Sequence, residues 1–217
     1  MKSVNLSENA LDKEMYESLG KAIKKHPTLE EINLSHTEDP SYSFALFLEK
    51  LKKNKPLKTL KLNYNYIFNS FNSNGENFEK LVDYLSENPF LENILLQNTN
   101  LSIENFSLLI EKVFPKNTHL KNLDLQHNSI CAFERSRDFT EEYVKIFQRA
   151  FKIFSIYNKT LEKILFYDYF QSIDSEQEII IAQIENQLNK NKKERVETNF
   201  LTRLFLLNLS DLEFIYS

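Results

Sequence analysis

Apolar residues return along this chain in a short fixed figure. Leu120, Leu123, Leu125 and Ile130 enclose polar Asn128, and Leu57, Leu60, Leu62 and Ile67 enclose Asn65 at the same spacings. Leu91, Ile94, Leu96 and Leu101 repeat the figure with Thr99 in the asparagine slot. Weaker copies run Leu29, Ile32, Leu34 with Thr37, and Leu161, Ile164, Phe166 with Tyr169; Val4, Leu6, Asn9 and Leu11 form a copy truncated on its N-terminal side. Apolar side chains at alternate positions predict a short strand with one face buried, and the polar slot after each marks a turn.

Between these copies the period changes to that of a helix. Leu19 and Ile23 stand four apart, and Phe44, Phe47, Leu48 and Leu51 fill one helical face. Each helical segment ends in a polar residue just before the next copy, as in Asn54-Lys-Pro-Leu57, Asn88-Pro-Phe-Leu91, Asn117-Thr-His-Leu120 and Asn158-Lys-Thr-Leu161, with His26-Pro-Thr-Leu29 as a variant. The repeating unit is therefore strand, turn, helix. Its second apolar position falls at Val4, Ile32, Leu60, Ile94, Leu123 and Ile164, spacings of 28, 28, 34, 29 and 41.

One such unit cannot bury its own apolar face, so each must close on the next to make a continuous core. Asn9, Asn65 and Asn128 are read as a buried ladder whose amides satisfy turn backbone groups. The two long spacings place insertions at Tyr66–Phe78 and around Ala132–Tyr143, which lengthen the loop after the strand or add a helical turn. Such insertions are either a binding edge or neutral surface drift. Glu176 to Lys190 is read as the last unit's helix, and the array stops after Asn191, where no leucine opens a new strand. Residues 200–214 are strongly apolar and are expected to form a helical cap, with one further strand as the alternative.

The L-x-x-L-x-L-x-x-N-x-L figure with a base period of 28 to 29 resembles the ribonuclease-inhibitor-like class of leucine-rich repeats. That resemblance implies an α/β solenoid: a curved horseshoe with short parallel strands on the concave face and helices on the convex face, over residues 1–195, closed by a capping segment at 196–217. It also implies protein binding on the concave sheet. The Asn- and Lys-rich, glycine-poor style further resembles leucine-rich-repeat effectors that Legionella-type intracellular bacteria deliver into host cells, which implies a secreted effector that binds a host protein.

Composition narrows the chemistry. The 27 basic and 31 acidic residues give a net charge of −4 with no basic track, so nucleic acid is not an expected partner. With two glycines, Gly20 and Gly75, phosphate-cradling loops and dinucleotide fingerprints are excluded. Cys131 is the single cysteine, so no intrachain disulfide forms. No apolar run reaches the length of a signal-peptide core or a membrane span, and the chain is expected to be cytoplasmic, or secreted into a host cytosol without a cleavable signal. His36 and His127 hold equivalent positions three strands apart, roughly 14 Å, too far to share one ion. No metal, cofactor or catalytic constellation is expected, and the chain is read as a non-enzyme.

In each strand the residues between the leucines face the concave side. The candidate partner-binding residues are Lys61, Asn63, Tyr64, Asn93, Leu95, Gln97, Asp124, Gln126, His127, Leu165, Tyr167 and Asp168. Leu95, Leu165, Tyr64 and Tyr167 stand out as large groups turned toward water, the kind enriched where partners dock. The expected function is a monomeric protein-protein interaction module. The alternatives are an intracellular scaffold, or a substrate-recognition subunit that recruits a target to an enzyme such as a ubiquitin ligase.

Overall fold

A computed structural model describes residues 1–37, 43–52, 54, 56–65, 68, 76–128, 141–157, 159–165, 182 and 185–194. Strands and helices alternate along it: β1 (Ser3–Asn5), α1 (Lys13–Ile23), β2 (Glu31–Asn33), α2 (Ser43–Leu51), β3 (Thr59–Lys61), α3 (Glu76–Glu87), β4 (Asn93–Leu95), α4 (Ile103–Val113), β5 (Asn122–Asp124), α5 (Glu141–Tyr157) and β6 (Lys163–Leu165). The strands form one parallel sheet in sequence order. Val4, Ile32, Leu60, Ile94, Leu123 and Ile164 line up across it in register. The insertions therefore leave the register untouched, because each unit must present the same apolar position to its neighbour or forfeit its buried contacts.

Only the middle residue of each of β2 to β6 is buried, and it faces the helices; the residues on either side stay partly or wholly open. Tyr16, Phe44 and Phe47 pack edge-to-face or tilted between α1 and α2, at ring separations of 5.8 to 6.4 Å. Asp12 caps α1 by accepting from the Met15 N–H, and Ser102 caps α4 by accepting from Asn105, each satisfying an amide that the first helical turn leaves free. In the first insertion Phe68 is buried and meets Phe78 at 5.5 Å, edge to face. That part of the insertion belongs to the core and not to a binding edge. The second insertion, apart from the start of α5, and the proposed cap at 196–217 lie outside the described residues.

Asparagine amides bridge the units. At the strand end, Asn65 Nδ2 donates to Leu34 O (2.6 Å) and Leu62 O (3.1 Å) while its Oδ1 accepts from Thr37 N (2.7 Å). Asn128 repeats this on Leu96, Leu125 and Thr99. Thr37 and Thr99 each turn their hydroxyl to a carbonyl of their own unit, Leu34 and Leu96. At the helix end, Asn54 reaches back to Ile23 O (2.6 Å) and Asn117 to Leu85 O (2.7 Å), whereas the Asn88 amide donates to its own unit's Tyr84 hydroxyl (3.1 Å). Among the described residues, the four junctions between the first five units each have an asparagine amide that donates to a backbone carbonyl of the preceding unit, alternately at the helix end (Asn54, Asn117) and at the strand end (Asn65, Asn128). Asn191 is also buried, but it donates to Leu161 O of its own unit, at 2.8 Å.

Asn9 departs from the expected ladder. It is exposed, and among the described residues it bonds Leu6 O and Ser7 O of its own unit, with no described unit stacked on that side of β1. The helix assigned to Glu176–Lys190 also extends further than its sequence signal: residues 185–194 are helical, and Lys190 and Glu194 pair at 3.8 Å across one turn.

A feature absent from the leucine pattern runs along the entrance to the strands. Lys2, Glu30, Lys58, Glu92, Lys121 and Glu162 directly precede β1 to β6, so the charge alternates from unit to unit. Lys2 and Lys58 both pair with Glu30, at 3.1 and 3.6 Å, and Lys121 pairs with Glu92. The Lys2 ammonium, with Lys58 behind it, holds the Glu30 carboxyl below its ordinary value. Glu92→Lys would place three like charges side by side. It is expected to cost about 1 kcal/mol at low salt and much less at high salt, which denaturant titration at the two ionic strengths reads directly.

Tyr84 is fully buried on α3, and burial pushes its phenol well above the ordinary 10.0. A raised folded-state value means that the neutral phenol favours the fold: its contribution is complete below pH 10 and is lost as pH rises above that. Stability should fall on the alkaline side, and Tyr84→Phe should remove part of that fall in denaturation measured between pH 9 and 11.

Candidate functional site

No described element covers the sheet face opposite the helices, and the register fixes what it shows. Glu31, Thr59, Asn93, Asn122 and Lys163 form one row; Asn33, Lys61, Leu95, Asp124 and Leu165 form the next. Ser35, Asn63, Gln97 and Gln126 follow just beyond the strands, then His36, Tyr64, Asn98 and His127.

The polar members of the first three rows are largely engaged with one another. Asn93 Nδ2 donates to Thr59 Oγ1 at 2.9 Å, and Asn122 Nδ2 donates to Asn93 Oδ1. Gln97 N donates to Asn63 Oδ1 (2.9 Å), while Gln97 Nε2 donates to Gln126 Oε1 and to Asp124 Oδ2 (both 2.8 Å). Lys61 pairs with Glu31 at 2.8 Å. A partner that covers these groups need not rescue them, because their hydrogen bonds are already made and the penalty for burying unpaired polar atoms is avoided.

The fourth row has a different origin. Glu8, His36, Tyr64, Asn98 and His127 occupy the same position in successive units, and all have left-handed backbone, with φ of 63, 57, 58, 50 and 56°. Backbone bonds to the next unit impose it: His36 N donates to Asn63 O, Tyr64 N to Gln97 O and Asn98 N to Gln126 O, at 2.7 to 3.0 Å. Glycine or asparagine suits this conformation, whereas a larger side chain costs roughly 1–2 kcal/mol. Here only Asn98 fits. Tyr64 is 37% exposed and stacks on exposed His36, rings 4.9 Å apart and 23° from parallel.

Lys61, Asn63, Tyr64, Asn93, Leu95, Gln97, Asp124, Gln126, His127 and Leu165 thus all lie on this face or along its edge. Tyr167 and Asp168 lie outside the described residues. Leu95 and Leu165 are half-buried, standing in register on either side of Asp124. Burial raises the Asp124 carboxyl above its ordinary value, against the Gln126 N–H, the Gln97 amide and the charges of Lys163 and His127, which pull it down. His36 as the stacking partner of Tyr64 was within reach of the sequence, since the two hold the same unit position one strand apart. Among the described residues no three His, Cys, Asp or Glu side chains gather as a metal site would require, and no helix is long and apolar enough to cross a membrane.

No protein-family model matches the chain, and no curated protein does. Among solved structures it is similar to actin-binding site 2 of leiomodin-1, at 15% identity over 95% of this chain and 89% of that one, with a TM-score of 0.49. It is also similar to the tropomodulin C-terminal domain from Caenorhabditis elegans, at 16% identity over 93% and 90%, with a TM-score of 0.45. Likeness of this size says nothing about what this chain binds.

Proposed function

We propose that the chain is a non-enzymatic binding module that docks a protein partner on the open face of its sheet. The observation that carries this reading is the face itself: polar rows tied up by internal hydrogen bonds, with Leu95, Leu165 and Tyr64 left as apolar and aromatic contact points. Tyr64 strengthens it, because an aromatic at a left-handed position costs stability that asparagine would not. Tyr64→Asn is therefore expected to leave the protein at least as stable as wild type while weakening partner binding. Combined with Leu95→Ala, the loss should reach tenfold or more, about 1.4 kcal/mol. Affinity capture from lysate, followed by titration of the captured protein against both forms, measures it; equal affinity would move the site to the helices.

The finer reading is that the partner is a host protein and the module an effector exported without a cleavable signal. It rests on the resemblance in repeat style and composition to Legionella-type effectors. A translocation reporter fused to the chain tests it: signal in the host cytosol is the expected result, and retention in the producing cell rejects export while leaving the binding module in place.

A further inference from the structure

We propose that the Leu95–Asp124–Leu165 row is a socket for an arginine side chain of the partner, the carboxylate taking the guanidinium and the two leucines flanking its methylenes. This deepens the open-face reading and rests on it. Asp124 stands between Leu95 and Leu165 in register, in the row that runs through the strand centres. Its carboxylate is oriented by the adjacent row of the same face: Gln97 Nε2 donates to Oδ2 (2.8 Å) and the Gln126 backbone N–H to Oδ1 (3.2 Å). Each oxygen thus keeps acceptor capacity, which a planar guanidinium with paired N–H groups can use in bidentate fashion.

The other charged pair on this face is already matched, Lys61 to Glu31. Asp124 forms no salt bridge among the described residues, and Lys163 and His127 act on it through their charge. A carboxylate held half-buried between leucines loses hydration, and the raised value of its acid agrees with that cost. Complementarity therefore asks for a cation on a long apolar stem. Arginine fits better than lysine because the two oxygens are held for a fork rather than a point charge.

The test is an NMR titration of the full chain with the capped tripeptide Ala-Arg-Ala and with its neutral isostere carrying citrulline. The arginine peptide should shift the amides of Leu95, Asp124 and Leu165, with citrulline at least tenfold weaker. Asp124→Asn should abolish the shifts and leave the rest of the spectrum in place, Glu31→Gln should keep them, and Lys163→Gln should strengthen binding by removing a competing cation. Equal shifts from both peptides, no shift at all, or shifts that survive Asp124→Asn would overturn the socket. If any of these is found while partner capture still depends on Tyr64 and Leu95, the arginine assignment fails and the open-face reading stands.

Discussion

Leu123→Ala lowers stability by about 2–5 kcal/mol, with an unchanged denaturant slope if the fold stays two-state. Leu123 is the buried centre of β5, in register with Ile94 on one side and Ile164 on the other, both buried. Removing its three distal carbons opens a cavity in the interior of the stack. Neither neighbour can slide in to fill it, because each is held by its own strand pairing. Val4→Ala makes the internal contrast: Val4 is only partly buried in the first strand, with a neighbour on one side, and the same kind of truncation should cost about 1 kcal/mol or less. A cost at Leu123 equal to that at Val4 would mean that the units do not share one core.

The second large effect is at Asn65. Asn65→Ala leaves two buried carbonyls, Leu34 O and Leu62 O, and the Thr37 N–H without the amide that meets them. At roughly 1–3 kcal/mol for each buried group left unpaired, and allowing for relaxation, a loss of about 3–5 kcal/mol is expected. Asn65→Thr should cost distinctly less, since a threonine in this slot bonds a carbonyl of its own unit, as Thr37 and Thr99 do. What threonine cannot do is reach the preceding unit. Hydrogen exchange should therefore show Asn65→Thr loosening the junction between β2 and β3 while protection within each unit persists.

The amide ladder at Asn65 and Asn128 is legible in the sequence, whereas the partner that each amide takes is not. Both asparagine motifs, at the strand end and at the helix end, are plain in the residue pattern, and so are the six strand centres, because a core-facing apolar position tolerates little else. Which amide crosses to the neighbour and which stays at home depends on backbone placement. Asn88 and Asn117 look alike in sequence, yet one donates to Tyr84 and the other to Leu85 O of the preceding unit. Asn9 looks like Asn65 but lies beside β1, an edge strand of the described sheet. Phe68 was hidden because an insertion carries no period of its own.

The candidate surface was legible to a similar depth. Alternation alone places Lys61, Leu95, Asp124 and Leu165 on one face, since strand geometry leaves no other choice. It does not reveal that Asn93, Asn122, Gln97 and Gln126 are engaged among themselves, nor that Tyr64 sits in left-handed backbone. Those two facts separate the residues that hold the face together from those that are offered to a partner.

Site-specific photocrosslinking of the complex addresses the central claim most directly. A photoreactive phenylalanine analogue is placed at Tyr64 or Leu95 on the open face, and at exposed Ser18 on α1 or Glu79 on α3 on the helical side. The open-face account predicts adducts with the partner from Tyr64 and Leu95 and none from Ser18 or Glu79. Adducts from Ser18 or Glu79 with none from the open face would contradict it.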